Sequence, residues 1–554
     1  MQRRKLQVIV IACTFVAVFS AGFYNVADSE LLLKIYRGID LFGKVYKEVA
    51  TNYVDDVDPD EFMRAGIDGM LKTLDPYTVY IGEKDSDEID LVTTGKYGGV
   101  GITIGVRDGM IIVVSLLEGL SAAKQGIQIG DRILEIGGKT ATGLRLDQIR
   151  LLVRGAPGTD IRMKIEREGE PQSLEFILVR EEISVKNVTY TGFVEPGIGY
   201  IKLERFSRTA GDDVRQAMKE LRATGTLSGL VLDIRENPGG LLDVAVDVSA
   251  KFLPESSLVV STRGRKDNSQ RKYYSTEKPT LPEVPLAVLV NGNSASASEI
   301  VAGAVQDLDR GIIVGGRTYG KGLVQTITRL SEKTSLKMTT ARYYTPSGRS
   351  IQELDYSHPT ENGGFATIPD SLRKVFHTAH DREVLEGGGI LPDSVVNDPE
   401  PSRFYQELMR KAMLFKYANR YAAQNTTLPE HFEVTDEMLK DFEAFLKERK
   451  FEYHSEAELK LRDLRDVAEK SKYGREFLES VDRLNTMAER EKGSALQRNK
   501  KEIQIALKAE ILSRLKGEKT RIESSMRDDS QLLTTVALLK NKKAYDALLS
   551  RKKK

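Results

Sequence analysis

The chain has 554 residues, enough for about three to four domains of ordinary size. Its 82 lysines and arginines balance 81 aspartates and glutamates, so a net charge of +1 gives no global field that would attract nucleic acid. The one cysteine, Cys13, excludes an intramolecular disulfide and a cysteine zinc cluster, and the five histidines all lie at or after His358. Chemistry in the first 357 residues must therefore proceed without a histidine, and we expect no metal, no cofactor and no nucleic-acid partner.

The N-terminus is typical of an export signal. Residues 1–5 form a short basic flank, and the 22 residues that follow, 6–27, are mostly apolar. About 20 apolar residues span a bilayer as a helix, and a basic flank stays cytoplasmic, so we expect residues 1–27 to be a membrane anchor with the rest exported. The alternative is a cleaved signal peptide, with Val18 and Ser20 before a cleavage site at Ala21.

The period of the apolar residues divides the remaining chain into four regions. Apolar residues at spacing three to four indicate helices, whereas short glycine-punctuated apolar runs indicate strands. In chain order, the predicted regions are a helical segment over 28–90, a small β-domain over 91–180, a layered α/β domain over 181–400 and a charged helical extension over 401–554. The fold class is therefore multidomain α/β.

The densest chemical motif is N-G-N-S-A-S-A-S-E-I at 291–300, directly after a predicted buried strand. Small residues at a strand-to-helix turn let a serine hydroxyl protrude, while backbone N–H groups and the helix N-terminus stabilise an oxyanion. The residues alone do not choose among Ser294, Ser296 and Ser298. A simpler interpretation also fits, because Ser296 and Glu299 form a capping box, S-x-x-E, which serves only to begin a helix.

A nucleophilic serine needs a base, and without a nearby histidine the candidate is a lysine. Lys321 lies between two glycines in R-T-Y-G-K-G-L-V-Q at 317–325. A lysine acts as a base at neutral pH only when its surroundings lower its pKa by roughly three units from ~10.4. The alternative is an ordinary loop lysine.

Two glycine motifs can place N–H groups around a ligand. N-P-G-G at 237–240 follows a predicted strand, where Gly239 or Gly240 could donate to an oxyanion or could belong to a plain turn. G-G-V-G-I at 98–102 precedes an apolar strand and could hold a peptide carboxylate on its N–H groups.

Three blocks, in this order along the chain, closely resemble the carboxy-terminal processing, or tail-specific, proteases. They are residues 232–249 around N-P-G-G, residues 288–307 around S-A-S-A-S, and residues 316–325 followed by 339–352. The β-domain at 91–180 resembles the PDZ domain of that family. The resemblance covers about residues 30–400 and implies a crotonase-like protease core over 181–400.

The resemblance implies an active site residue by residue. Ser296 matches the family's nucleophile and Lys321 its base. Gln325 matches the residue that orients the lysine amine, and Asp307 matches an acidic position that supports the site. The oxyanion donors implied by the match are the N–H groups of Ala297 and of Gly239 or Gly240.

The resemblance also implies a peptide-binding site in the PDZ domain. Its carboxylate-binding loop matches Gly99, Val100, Gly101 and Ile102. Arg154, in L-L-V-R-G, is a candidate contact for the C-terminus of the substrate. The alternative is that Arg154 pairs with a surface acid.

These matches imply a serine endopeptidase of the bacterial cell envelope that cleaves proteins near their C-termini through an acyl-enzyme. The body of the chain would lie in the periplasm or outside, anchored in the cytoplasmic membrane or secreted after signal cleavage. The C-terminal helices could serve a homo-oligomer or an adaptor. The alternative function is a catalytically inactive PDZ scaffold that binds C-terminal peptides.

Overall fold

The computed structural model describes residues 30–82, 95–107, 109–266, 269–332, 334–359, 365–367, 369–397 and 400–550. The predicted membrane anchor at 1–27 lies outside these residues. None of the helices in the described ranges is long and apolar enough to cross a membrane. The chain divides into two compact units, one holding residues up to 80 with 327–330 and 335–338, and the other holding the remaining residues.

The N-terminal segment contains two helices and a short strand, where the sequence indicated one helix. Helix α1 spans 30–52, helix α2 spans Pro59–Leu71, and strand β1 spans Val79–Ile81. Helix α2 begins where it does because the Asp58 carboxylate accepts hydrogen bonds from two N–H groups of its first turn.

The region predicted to be a PDZ domain is an antiparallel sheet with two helices. Its elements are β2 Lys96–Gly99, β3 Ile102–Arg107, β4 Met110–Leu116, α3 Ser121–Gln125, β5 Arg132–Ile136, β6 Lys139–Thr140, α4 Leu146–Val153, β7 Asp160–Glu166, β8 Leu174–Val179 and β9 Glu181–Ser184. The sheet has the order β3-β4-β5-β7-β8, with β6 on β5. Strands β2 and β9 pair separately, so the chain enters and leaves this domain side by side.

The predicted layered α/β domain is built on a six-stranded sheet in the order β10-β11-β12-β15-β16-β23, parallel except for β10. The strands are β10 Val188–Glu195, β11 Ile198–Leu203, β12 Gly229–Asp233, β15 Leu286–Val290, β16 Ile312–Gly315 and β23 Ser394–Val395. Helices α5 Ala210–Thr224, α6 Leu242–Ala250 and α7 Ala297–Asp307 pack on one face through Ile201, Leu232 and Val288. The central strands are continuously apolar because both of their faces are buried.

The last three helices cover the other face of this sheet. They are α15 Glu518–Ser525, α16 Ser530–Lys540 and α17 Lys542–Leu549. Leu532, Val536 and Tyr545 pack on Val231 and Leu289, and the Tyr545 hydroxyl bonds to the backbone of Leu286. The end of the predicted extension at 401–554 is therefore an integral layer of the α/β domain.

Smaller strands and helices complete the fold. A five-stranded sheet has the order β1-β18-β13-β14, and β17 also pairs with β18. Its further strands are β13 Leu258–Gly264, β14 Arg271–Tyr274, β17 Leu323–Arg329 and β18 Ser335–Tyr344. Two hairpins follow, β19 Leu354–Pro359 with β20 Phe365–Thr367 and β21 Val375–His377 with β22 Glu383–Leu385, separated by a short 3₁₀ turn at Asp370–Leu372.

The remaining helices form a core of their own. They are α8 Arg403–Arg410, α9 Met413–Gln424, α10 Asp436–Glu448, α11 Glu456–Lys470, α12 Arg475–Lys492, α13 Ala495–Arg498 and α14 Lys500–Leu515. The predicted apolar stripes are buried in it, including Phe442, Ile503 and Leu507. This core contacts the PDZ-like sheet where Phe415 packs on Ile112.

Candidate active site

Ser296 occupies a strained turn between a buried strand and a helix. Strand β15 ends at Val290, and α7 begins at Ala297, with Ser296 as the residue that precedes the helix. Its φ of 55° and ψ of −111° are unusual for a residue with a side chain. A strained serine at a strand-to-helix turn is the arrangement that projects a nucleophilic hydroxyl from a sheet.

The three serines of the motif have different environments. Ser294 is buried, and its hydroxyl donates to the Ile234 carbonyl at 2.9 Å. Ser298 is also buried, and its hydroxyl donates to the Asn237 carbonyl at 2.8 Å. Ser296 is half-buried and so remains the one of the three that is partly open to solvent. The geometry therefore favours Ser296, which the residues alone could not select.

Glu299 is a fully buried carboxylate that joins the serine turn to the lysine loop. Its Oε2 accepts hydrogen bonds from Ser296 N–H at 2.8 Å and Lys321 N–H at 2.9 Å. Its Oε1 accepts from the Thr318 hydroxyl at 2.6 Å and Gly320 N–H at 2.7 Å. Burial raises the pKa of Glu299, and these four hydrogen bonds partly offset that rise. Sequence reasoning treated Glu299 only as a capping residue.

Lys321 lies in the loop between β16 and β17, half-buried and close to the serine turn. Since Ser296 N and Lys321 N donate to the same oxygen, the two backbones are in near contact across Glu299. A Cβ on Gly320 would lie 2.6 Å from the Glu353 Cβ, and Gly320 has a φ of +86°. A glycine there is therefore a packing requirement of the loop that holds the lysine.

The N-P-G-G turn lies directly against the serine turn. A Cβ on Gly239 would lie 2.8 Å from Ala297 N and 2.9 Å from the Ser296 Cβ, and its φ is +98°. The Gly239 N–H donates to the Asn237 side-chain oxygen at 2.9 Å. That bond engages the Gly239 N–H, whereas the Ala297 N–H lies in the first turn of α7, where N–H groups lack an intrahelical acceptor.

Gln325 and Asp307 occupy different positions relative to the serine. Gln325 lies on β17, four residues after Lys321, and its amide donates to the Thr339 hydroxyl at 3.2 Å. Asp307 ends α7, so it lies about 16 Å along the helix axis from Ser296. It pairs there with buried Arg349 at 2.8 Å. The structure thus places Asp307 away from the serine, and a catalytic role for it stays a prediction.

Beside the N-P-G-G turn lies a buried charge cluster that sequence reasoning missed. Asp233 ends β12 and pairs with Arg235 at 2.6 Å and Lys202 at 3.2 Å. Burial alone would raise the pKa of Asp233, but these two cations hold it at about 2. Arg235 also pairs with Asp529 at 2.6 Å, which ties this turn to helix α16.

Comparisons with known proteins identify related families along most of the chain. Peptidase family S41 matches residues 197–357, and the PDZ domain matches 88–166. The C-terminal helical domain of a probable PDZ-protease matches 404–539, and the N-terminal domain of the activating protease CtpB matches 27–85.

A carboxy-terminal-processing protease of Bartonella bacilliformis is 42% identical over 322 residues, which cover 58% of this chain and 74% of that one. This chain belongs to the carboxy-terminal processing proteases. The carboxy-terminal processing protease CtpB of Bacillus subtilis is 30% identical over 403 residues, covering 71% of this chain and 82% of that one. A solved photosystem II D1 C-terminal processing protease shares 26% identity, with a TM-score of 0.35, over 64% of this chain and 92% of that one. The identity to the Bartonella and Bacillus proteases confirms the predicted family.

In this family member, the predicted carboxylate loop links β2 to β3 of the PDZ domain. Gly101 has a φ of +87°, and a Cβ there would lie 2.6 Å from the Leu120 Cβ. Val100 is buried, Gly99 ends β2 and Ile102 begins β3. The loop is held by backbone hydrogen bonds from Leu117 N–H to Gly101 and from Ala122 N–H to Val100.

Arg154 directly follows helix α4, and its guanidinium lies 4.9 Å from the centroid of the Tyr97 ring. Burial raises the pKa of Tyr97, and the charges of Arg154 and Arg205 partly offset that rise. Because Arg205 belongs to the protease domain, Arg154 lies where the PDZ and protease domains meet.

Proposed function

We propose that this protease uses Ser296 as its nucleophile and Lys321 as its general base. The observation that carries the proposal is the strained Ser296, whose backbone shares one Glu299 oxygen with that of Lys321. Neutral Lys321 takes the proton from the Ser296 hydroxyl as the oxygen attacks the scissile carbonyl, and returns it to the leaving amine. Water then hydrolyses the acyl-enzyme by the same route.

Two N–H groups stabilise the tetrahedral intermediate in this proposal. Ala297 N–H lies at the N-terminus of α7, where the helix dipole also favours a negative charge. Gly240 N–H supplies the second donor, because Gly239 N–H is bonded to Asn237. Gln325 orients the lysine amine from β17. Removing one such oxyanion donor costs roughly 10²–10³-fold in kcat in other enzymes.

The substrate is a protein with a free C-terminus, which the PDZ domain binds. The N–H groups of residues 99–102 receive the carboxylate, and β3 pairs with the extended peptide by β-augmentation. Arg154 adds a positive charge near the same anion. Charge-assisted hydrogen bonds contribute about 1.5–3 kcal/mol, so a neutral C-terminus should weaken binding roughly tenfold or more.

The test compares one peptide as a free acid and as a C-terminal amide. We expect the wild type to cleave the acid at least about ten times better at low concentration, and Ser296→Ala and Lys321→Ala to cleave neither. Loss of the discrimination in Arg154→Ala would make Arg154 the sensor of the carboxylate. Equal cleavage of acid and amide would contradict PDZ recognition, and binding without cleavage by the wild type would favour the inactive scaffold.

We further infer that the enzyme acts in the bacterial cell envelope, with residues 1–27 as a membrane anchor and the body outside the cytoplasm. The support is the basic and apolar pattern of that segment. In cell fractionation, the full chain should sediment with membranes, and a chain beginning at residue 28 should not. A mature protein in the medium that begins at Ala21 would favour the cleaved signal peptide.

A further inference from the structure

The Glu299 carboxylate is completely buried and accepts hydrogen bonds from four neutral groups. One donor is the Ser296 N–H in the serine turn. The other three lie in the lysine loop and are the Thr318 hydroxyl and the N–H groups of Gly320 and Lys321. A carboxylate in the protein interior normally requires strong compensation. Here four hydrogen bonds from the serine turn and the lysine loop contribute to that compensation, and these are the groups that define the relative position of Ser296 and Lys321.

We propose that Glu299 is a positioning residue that fixes the distance between the nucleophile and the base. The proposal rests on the proposed function, since it assigns Glu299 a role only in bringing Ser296 and Lys321 together. Its Oε2 holds the N–H groups of those two residues, so neither backbone can move without losing a charge-assisted hydrogen bond.

The geometry explains why the residue is a glutamate. Each carboxylate oxygen accepts two hydrogen bonds here, whereas a glutamine would present two N–H donors to one of the two pairs. An aspartate is one methylene shorter, so it cannot reach both sides from the same point on the helix. Tyr343 assists at the serine, because its hydroxyl donates to the Ser296 carbonyl at 3.2 Å.

The role differs from catalysis by contact. The observed partners of Glu299 are Thr318 Oγ1 and three backbone N–H groups, so it acts on the reaction through the residues that carry the chemistry. A displacement of about 1 Å between reacting groups can lower the rate about 100-fold. The expected consequence is a loss of kcat, with little change in substrate binding by the PDZ domain.

The experiment measures kcat, KM and PDZ affinity for a C-terminal peptide in Glu299→Gln and Glu299→Asp. The matched control is Asp309→Asn, which removes another buried carboxylate charge, one that binds Arg382 Nε at 2.6 Å beyond the far end of α7. Asn suits the left-handed backbone of that position, where φ is 51°. All values are corrected for the folded fraction.

We expect kcat to fall about 100-fold in both Glu299 variants, with KM and peptide affinity within about twofold of wild type. The control should lose stability but keep its kcat. A kcat in Glu299→Gln equal to that of Asp309→Asn would overturn the proposal. Full activity in Ser296→Ala would instead overturn the proposed function, so the two failures are distinguishable.

A further variant tests the proposal even if the Glu299 variants do not fold. Thr318→Val keeps the side-chain shape and the carboxylate but removes the hydroxyl, which donates to Glu299 Oε1 and accepts from the Ile390 N–H. We expect a fall in kcat of about tenfold at constant KM, since one of the four hydrogen bonds is lost. An unchanged kcat in Thr318→Val would contradict the positioning role even if neither Glu299 variant folds.

Discussion

The buried carboxylates at the two ends of helix α7 have different kinds of partner. At the N-terminal end, Ser296 has a strained backbone, and Glu299 accepts hydrogen bonds from N–H and hydroxyl groups. At the C-terminal end, Asp307 pairs with Arg349 at 2.8 Å, and the next acid, Asp309, pairs with Arg382 at 2.6 Å.

We infer from this difference that the N-terminal end of α7 serves catalysis and that the C-terminal end stabilises the fold. A strained backbone and a fully buried carboxylate both cost stability, and they persist where the surrounding structure imposes them. Ion pairs at the far end anchor the helix against the hairpins that follow.

The largest expected effect is on catalysis at the lysine. Lys321→Arg should lose at least about 10⁴-fold in kcat, because a guanidinium stays charged and cannot accept the serine proton. The wild-type rate should rise with pH through a single apparent pKa well below that of free lysine. The measurement is peptide cleavage between pH 5 and 10, with Lys272→Arg as an exposed control. Substantial activity in Lys321→Arg contradicts the assignment.

At the C-terminal end of α7, substitution should lower the free energy of unfolding. Arg349→Met leaves Asp307 buried without its cation, so we expect a loss of about 3–5 kcal/mol in the free energy of unfolding. The reference is Lys540→Met, which breaks an ion pair with half-exposed partners on the same domain and should cost at most about 1 kcal/mol. Denaturant unfolding checks both values, and equal losses in the two variants refute the ranking.

A smaller effect is expected where the N-P-G-G turn meets the serine. Gly239→Ala would place a methyl group 2.8 Å from Ala297 N at a φ of +98°, so the turn must shift. We expect kcat to fall about 100-fold, since the oxyanion donors move with it. Gly292→Ala is the control, because its Cβ meets nothing closer than 3.9 Å. Similar kcat values for the two variants argue against this placement.

The smallest effect is on the pH dependence of stability. The pKa of Asp233 is held at about 2 in the folded state, below its ordinary value of 3.8. Its contribution, on the order of 2–3 kcal/mol, is therefore present above about pH 4 and is lost as the pH falls toward 2. In Asp233→Asn, the free energy of unfolding should change less between about pH 4 and pH 2 than in the wild type. An equal pH dependence in the two proteins would contradict the pairing.

Glu299 should show the opposite sign. Burial raises its pKa above the ordinary 4.5, so its folded form binds a proton more tightly than its unfolded form. Stability from this group is thus lost as the pH rises from about 4.5 through the raised pKa. Glu299→Gln should remove that part of the pH dependence, as denaturant unfolding between pH 4 and 8 will show.

The strand-to-helix turn at Ser296 could be predicted because its signals are local. A continuous apolar strand, small residues and S-x-x-E all lie within about fifteen residues. The link from Glu299 to the lysine loop could not be predicted, because three of its four partners are backbone N–H groups. Every residue except proline supplies such a group, so the sequence does not reveal which ones bind. The distance of Asp307 from Ser296 follows from helix rise once α7 is recognised.

The layer formed by α16 and α17 shows a different limit. A spacing-four stripe identifies the buried face of a helix but not the surface that it packs against. The contact with the β-sheet, and the pairing of Asp529 with Arg235, join residues almost 300 positions apart. Such contacts depend on the tertiary fold, so the sequence predicted these helices and not their place in the protease domain.

The most direct test of the account is covalent capture of the nucleophile. Incubation with a fluorophosphonate, followed by peptide mapping by mass spectrometry, should place a single adduct on Ser296. Ser294→Ala and Ser298→Ala should still be labelled if folded, whereas labelling of Lys321→Arg should slow at least about 10⁴-fold, in parallel with its activity. An adduct on another serine, or labelling of Lys321→Arg at the wild-type rate, would contradict the account.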